Sequence, residues 1–87
     1  MNAAVEALAT GLALELASIR VNAVAPGLID TPMLGEYREQ GAQWASTTLP
    51  VGKIGTPEDV AEAVVLLMTN AFITGEVLHV DGGGRYV

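Results

Sequence analysis

Two short apolar runs, each ended by glycine, constrain this chain of 87 residues more than anything else in it. Ile19 to Ala25 stops at Pro26-Gly27, and Glu76 to Val80 stops at Gly82-Gly83-Gly84. Runs of that length and punctuation fit buried strands better than helices. Between them, Leu28 to Gly55 is irregular, with Pro32, Gly35, Gly41, Pro50 and Gly52 scattered through it. A weak helical piece is expected from Leu34 to Trp44, interrupted by Gly41. A connection this long in a compact domain is usually a lid or a binding segment.

Helices are expected on either side of the first run's neighbourhood. Val5, Leu8, Leu12, Leu16 and Ile19 recur at spacings of three and four, which predicts a helix from Ala3 to about Ala17 with one apolar stripe. Its small residues, Ala4, Ala7, Gly11 and Ala13, would let another helix approach closely. Thr56-Pro57-Glu58-Asp59 reads as a second helix start. Thr56 is the N-cap, Pro57 sits where a missing N–H costs nothing, and two carboxylates meet the positive helix end. That helix should run to about Thr69, turning Val60, Val64, Leu67 and Met68 inward while Glu58 and Glu62 stay wet.

Helix, strand, long loop, helix, strand is the pattern of an α/β fold with a right-handed parallel crossover. Two parallel strands leave unpaired backbone along both margins and need both faces covered, so the unit is expected to be incomplete as a domain. Composition agrees. At 51% apolar and 16% charged residues, the chain suits a piece of an interior better than a disordered segment.

Charge and composition exclude several function classes. The net charge is -6, from ten acidic and four basic residues. No basic stripe exists to neutralise phosphates, so nucleic-acid binding and docking on an anionic membrane are disfavoured. With no cysteine, thiolate metal sites and cysteine nucleophiles are absent. No apolar stretch reaches the length of a membrane span, and the N-terminus has no signal-peptide pattern. The remaining expectation is a cytoplasmic chain.

Ligands of open α/β sheets bind beyond the carboxyl ends of the strands. The segment there is Pro26-Gly27-Leu28-Ile29-Asp30-Thr31-Pro32-Met33. Gly27 would let backbone approach a ligand and Thr31 offers a hydroxyl, although an ordinary strand-ending turn explains the same residues.

These residues also carry a resemblance. Arg20-Val-Asn-Ala-Val-Ala-Pro-Gly27 with Ile29 and Thr31, then Gly55-Thr-Pro-Glu-Asp-Val-Ala61, Phe72-Ile-Thr-Gly75 and Val80-Asp-Gly-Gly83, resemble the closing third of short-chain dehydrogenase/reductase (SDR) proteins. The resemblance covers essentially the whole chain. It implies the C-terminal portion of a Rossmann-like, doubly wound parallel sheet, with residues 1–87 a fragment of a single such domain. It implies an oxidoreductase moving hydride between NAD or NADP and a small alcohol or carbonyl substrate, commonly as a homo-oligomer. Residue by residue, it places Pro26, Gly27, Ile29 and Thr31 at the cofactor. The Ile29 backbone would meet the nicotinamide carboxamide, and Thr31 the carboxamide or diphosphate. Met33, Leu34, Tyr37 and Trp44 fall in the family's substrate lid, and Asn22 at a structural strand position.

The family's glycine-rich phosphate turn and its Ser are not among these residues. Its Tyr and Lys, four apart on a helix so that the Lys charge lowers the phenol pKa, are not matched either. Alignment of the first helix puts Asn2 where the Lys belongs. Neither Tyr37 nor Tyr86 has a Lys four residues away. Alone, the chain is expected to be catalytically incomplete. Two other readings stay open: a non-catalytic interaction protein that docks on full-length relatives, and one half of a split enzyme.

The remaining polar residues have plainer explanations. His79 reads as a packed or hydrogen-bonded strand residue, and Asp81 as the brace of a glycine turn. Trp44 serves as a packing anchor as readily as a substrate wall. Glu58, Asp59 and Glu62 read as helix-start and solvent-face charges, and Arg85 as part of a frayed terminus.

Overall fold

The computed structural model describes residues 3–87. Its order is α1 (Ala3–Glu15), β1 (Ala23–Pro26), a 3-10 segment (Pro32–Tyr37), α2 (Arg38–Thr48), α3 (Pro57–Thr69), β2 (Val77–Val80) and a 3-10 turn (Gly84–Tyr86). The strands pair in parallel, Ala23 with Val77 through Pro26 with Val80. The α/β parallel architecture is therefore as the sequence suggests.

Ladder bonds from Ala23 N–H to the Glu76 carbonyl (2.9 Å) and from Gly27 N–H to the Val80 carbonyl (3.0 Å) fix which residues of β1 face β2. Odd-numbered positions do; Val24 and Pro26 turn their backbone to the opposite margin. Pro26 thus ends the strand without losing a ladder bond.

The crossover closes through a polar knot at the start of β1. The Arg20 guanidinium donates to the Leu67, Met68 and Ile73 carbonyls. These include carbonyls of the last turn of α3, which has no basic residue of its own there. Asn22 donates to the Ile73 carbonyl (3.1 Å) and accepts the Glu76 N–H (3.0 Å), which makes it a structural residue. Thr74 Oγ1 accepts the Val21 N–H at 3.1 Å.

Helix α3 begins as its sequence dictates. Thr56 Oγ1 accepts the Asp59 N–H (3.2 Å) and the Asp59 carboxylate accepts the Thr56 N–H (2.8 Å). This reciprocal pair satisfies two otherwise orphaned donors.

Packing departs from the sequence pattern. Among the described residues only Ala9, Ala45, Leu49 and Leu67 are buried apolar positions. The stripe of α1 is not covered: Val5, Leu8, Leu16 and Ile19 are exposed, and the helix packs through Ala9. On α3, Leu67 turns inward as expected, but Val64 and Met68 are exposed. Two four-residue strands are too small a surface to bury both helices' apolar faces. Gly41 does not interrupt the lid helix, which runs unbroken through it. The break falls instead at Gly35, whose φ of 50° and ψ of -122° lie outside helical geometry.

Candidate nicotinamide-facing site

Beyond Gly27 the chain leaves β1 and makes one more parallel contact, with the residue preceding the cap of α3. Gly55 N–H donates to the Leu28 carbonyl (3.0 Å) and Asp30 N–H to the Gly55 carbonyl (2.8 Å). In extended backbone a residue's N–H and C=O point to the same side, and its neighbours' point to the other. Leu28 and Asp30 are turned towards Gly55, so the N–H and C=O of Ile29 are turned away from it. Neither Ile29 group has a hydrogen-bond partner among the described residues. The Thr31 hydroxyl makes no capping bond to the following 3-10 segment.

Ile29 and Thr31 line one open groove with Pro26, Gly27, Pro57 and Val60, enclosing about 520 Å³. All four residues that sequence reasoning placed at the cofactor thus come together. Pro57 and Val60 were not foreseen there, although Gly55-Thr56-Pro57 in the sequence marks a helix starting close to a turn. A planar carboxamide offers one acceptor and one donor edge. The orphaned Ile29 N–H and C=O are complementary to it, so the residues present fit that group.

Gly27 also packs against a second turn. A Cβ placed on it would lie 2.8 Å from Asp81 Cα and 2.9 Å from Asp81 Cβ. Its missing side chain lets the turns after β1 and β2 touch each other.

The residues expected in a substrate lid are dispersed. Met33 is 94% exposed and Tyr37 64%, and neither lines the groove; Leu34 is half-buried. Trp44 borders a second recess of about 520 Å³ with Val5 and His79, which shares Pro26, Gly27 and Leu28 with the groove.

Asp81 braces the glycine turn, as its position suggested. It accepts the N–H groups of Gly83 (3.0 Å) and Arg85 (3.2 Å) and the Arg85 guanidinium (2.9 Å). Burial pushes its carboxyl up, but those donors outweigh it and hold the group below the ordinary carboxylate range. Arg85 is accordingly not frayed: it pairs with Asp81 and lies 4.5 Å over the Tyr86 ring. The alignment of Asn2 with a catalytic Lys lies outside the described residues. There is no cluster of potential metal ligands, and no helix long and apolar enough to cross a membrane, among the described residues.

The model of the enoyl-(acyl carrier protein) reductase family matches residues 1–85. The chain belongs to the short-chain dehydrogenase/reductase family. It is 46% identical over 83 residues to carbonyl reductase family member 4 of Danio rerio, covering 93% of this chain and 34% of that protein. It is 43% identical over 68 residues to the 3-oxoacyl-[acyl-carrier-protein] reductase FabG of Thermotoga maritima, covering 76% of this chain and 28% of that one. It superimposes on a small-chain dehydrogenase crystallised with NADPH at a TM-score of 0.89 and 42% identity, covering 99% of this chain and 41% of that one. The SDR chain spans about a third of the length of the curated relatives it matches. The Rossmann-like assignment rests on this likeness, since two strands alone do not define a doubly wound sheet.

Proposed function

We propose that this SDR chain acts as the C-terminal part of an NAD(P)-dependent oxidoreductase, and that residues 1–87 form part of one Rossmann-like domain. The reaction of the whole unit is hydride transfer between nicotinamide C4 and an alcohol or carbonyl carbon of a small substrate. This chain supplies one wall of the nicotinamide pocket (Pro26, Gly27, Ile29 and Thr31), the substrate lid (Met33, Leu34, Tyr37 and Trp44) and an oligomer surface. It carries no catalytic Ser, Tyr–Lys pair or phosphate turn, so it turns over nothing alone. The supporting observation is that, among the described residues, the N–H and C=O of Ile29 have no partner and lie beside a Thr31 hydroxyl that makes no capping bond.

The test uses the full chain with millimolar reduced nicotinamide mononucleotide, followed by amide NMR. Shifts concentrated at Leu28–Thr31, with no nucleotide oxidation in the presence of simple ketones, are expected. Shifts confined to Gly82–Gly84, or no shifts at all, would discard the pocket assignment. Carbonyl-dependent oxidation by the chain alone would discard its catalytic incompleteness.

A second reading, a non-catalytic partner docking on full-length relatives or one half of a split enzyme, draws support from exposed apolar side chains. Leu8, Ile19, Met68 and Phe72 are uncovered, the last 98% exposed. Co-purification with a full-length relative supports it, and a monodisperse monomer at high concentration counts against it.

A further inference from the structure

We propose that Arg38 is a positioning residue, latching the strap Pro32–Gln40 to the cofactor-side turn through Asp30. Arg38 opens α2 and sends Nε (2.9 Å) and Nη2 (2.6 Å) to the same oxygen, Oδ2 of Asp30. The acceptor is firmly mounted. Asp30's own N–H is held by the Gly55 carbonyl at 2.8 Å, and its side chain is only 25% exposed.

The rest of the strap has little else to hold it. Its one other bond to the preceding chain is local, from Leu34 N–H to the Thr31 carbonyl (3.0 Å). Among the described residues, no further hydrogen bond joins residues 32–40 to the chain outside the lid. Met33 and Tyr37 are exposed and Leu34 is half-buried, so apolar burial holds it only weakly. At the far end, Ala45 is fully buried and Leu49 nearly so. The strap is therefore fixed by packing at one end and by one charged contact at the other, with the non-helical Gly35 between Thr31 and Arg38 as its pivot.

An exposed ion pair is ordinarily worth little. Here it matters because, among the described residues, the strap's one other bond to the preceding chain is the local one from Leu34, and because Asp30 directly follows Ile29. Opening the latch frees the strap without touching β1, β2 or α3. The consequence for nicotinamide contact rests on the function proposed above; the latch itself does not.

Hydrogen exchange of the full chain, in whatever assembly it forms and without nucleotide, tests the latch. Arg38→Gln and Asp30→Asn should each speed exchange at residues 35–40 by about three- to fivefold and leave α3 unchanged. The swapped pair Asp30→Arg with Arg38→Asp should restore part of the protection. Raising salt from about 0.05 M to about 0.5 M should mimic Arg38→Gln in the parent chain and do nothing to that variant. Unchanged exchange in both single variants, or a uniform acceleration that includes α3, overturns the proposal. Nicotinamide mononucleotide shifts at Ile29 and Thr31, measured in parallel, separate the two ideas. If the parent chain shows none while exchange at 35–40 responds as stated, the pocket reading fails and the latch stands.

Discussion

Gly27 rests against Asp81 with no room for a methyl group: its Cβ would stand 2.8 Å from the Asp81 Cα. That contact joins the turn carrying Ile29 and Thr31 to the turn carrying the Asp81–Arg85 pair. Gly27→Ala should therefore force two backbones apart and cost about 2 kcal/mol. A lower urea midpoint with an unchanged slope, together with amide shifts at both turns, is the expected signature. A midpoint within error of the parent would show that the turns separate freely.

Gly11 provides the contrasting case. It lies inside α1, and a methyl group added there would meet nothing within 4 Å among the described residues. Gly11→Ala should raise stability by about 0.8 kcal/mol through helix propensity alone. If the same substitution also splits an oligomer on a sizing column, a partner helix packs on that small-residue face.

Arg20→Met should unfasten the end of α3. Three carbonyls lose a charged donor, and the expected cost is about 2 kcal/mol. Exchange should quicken first at Leu66–Asn70, before β1 or the start of α3 responds. Simultaneous loss at both ends of α3 would contradict a local role.

The opposite end of α3 carries a pH signature. The backbone N–H of Thr56, and then its hydroxyl, hold the Asp59 carboxyl below its usual value of 3.8. A carboxyl depressed on folding contributes stability above the unfolded value and loses it as pH falls through the lower folded one. The stability gap between the parent and Asp59→Asn should accordingly be largest near neutrality and close as pH drops below about 4. A gap that is constant from neutral to acid pH would exclude the charge as its origin.

Ile29→Pro probes the pocket without touching the fold's own bonds. The deleted N–H has no partner among the described residues, so no bond of the fold is lost with it. The variant should melt within about 1 kcal/mol of the parent yet lose the nucleotide-induced shift at Thr31. Retention of that shift would point to a contact made by side chains alone.

Elements whose signals are local were legible from the sequence. Thr56-Pro57-Glu58-Asp59 encodes a cap, a permitted proline and a reciprocal carboxylate in four consecutive letters, and α3 starts where they say. Likewise, Pro26-Gly27 and the glycines after Val80 mark the ends of both strands. Burial was less readable, because periodicity shows which face of a helix is apolar and not whether anything covers it. Leu8 and Ile19 keep their spacing yet remain exposed. Long-range partners were the least readable. Nothing near Arg20 indicates carbonyls some fifty positions away, and nothing near Gly27 indicates Asp81. The four residues expected at the cofactor could be gathered into one groove because the other three lie within five positions of Gly27. The lid residues could not be assembled the same way, since their arrangement depends on a bend at Gly35 and a charge pair at Arg38.

The knot made by Arg20, Asn22 and Thr74 sets the alignment of the two strands before their ladder begins. Asn22 holds both Ile73 and Glu76, so Val77 reaches the sheet already opposite Ala23. Adding one residue between Thr74 and Val77 could not be absorbed by sliding. It would turn Leu78 and Val80 onto the wrong face, and the Gly27–Asp81 contact would lose its partner.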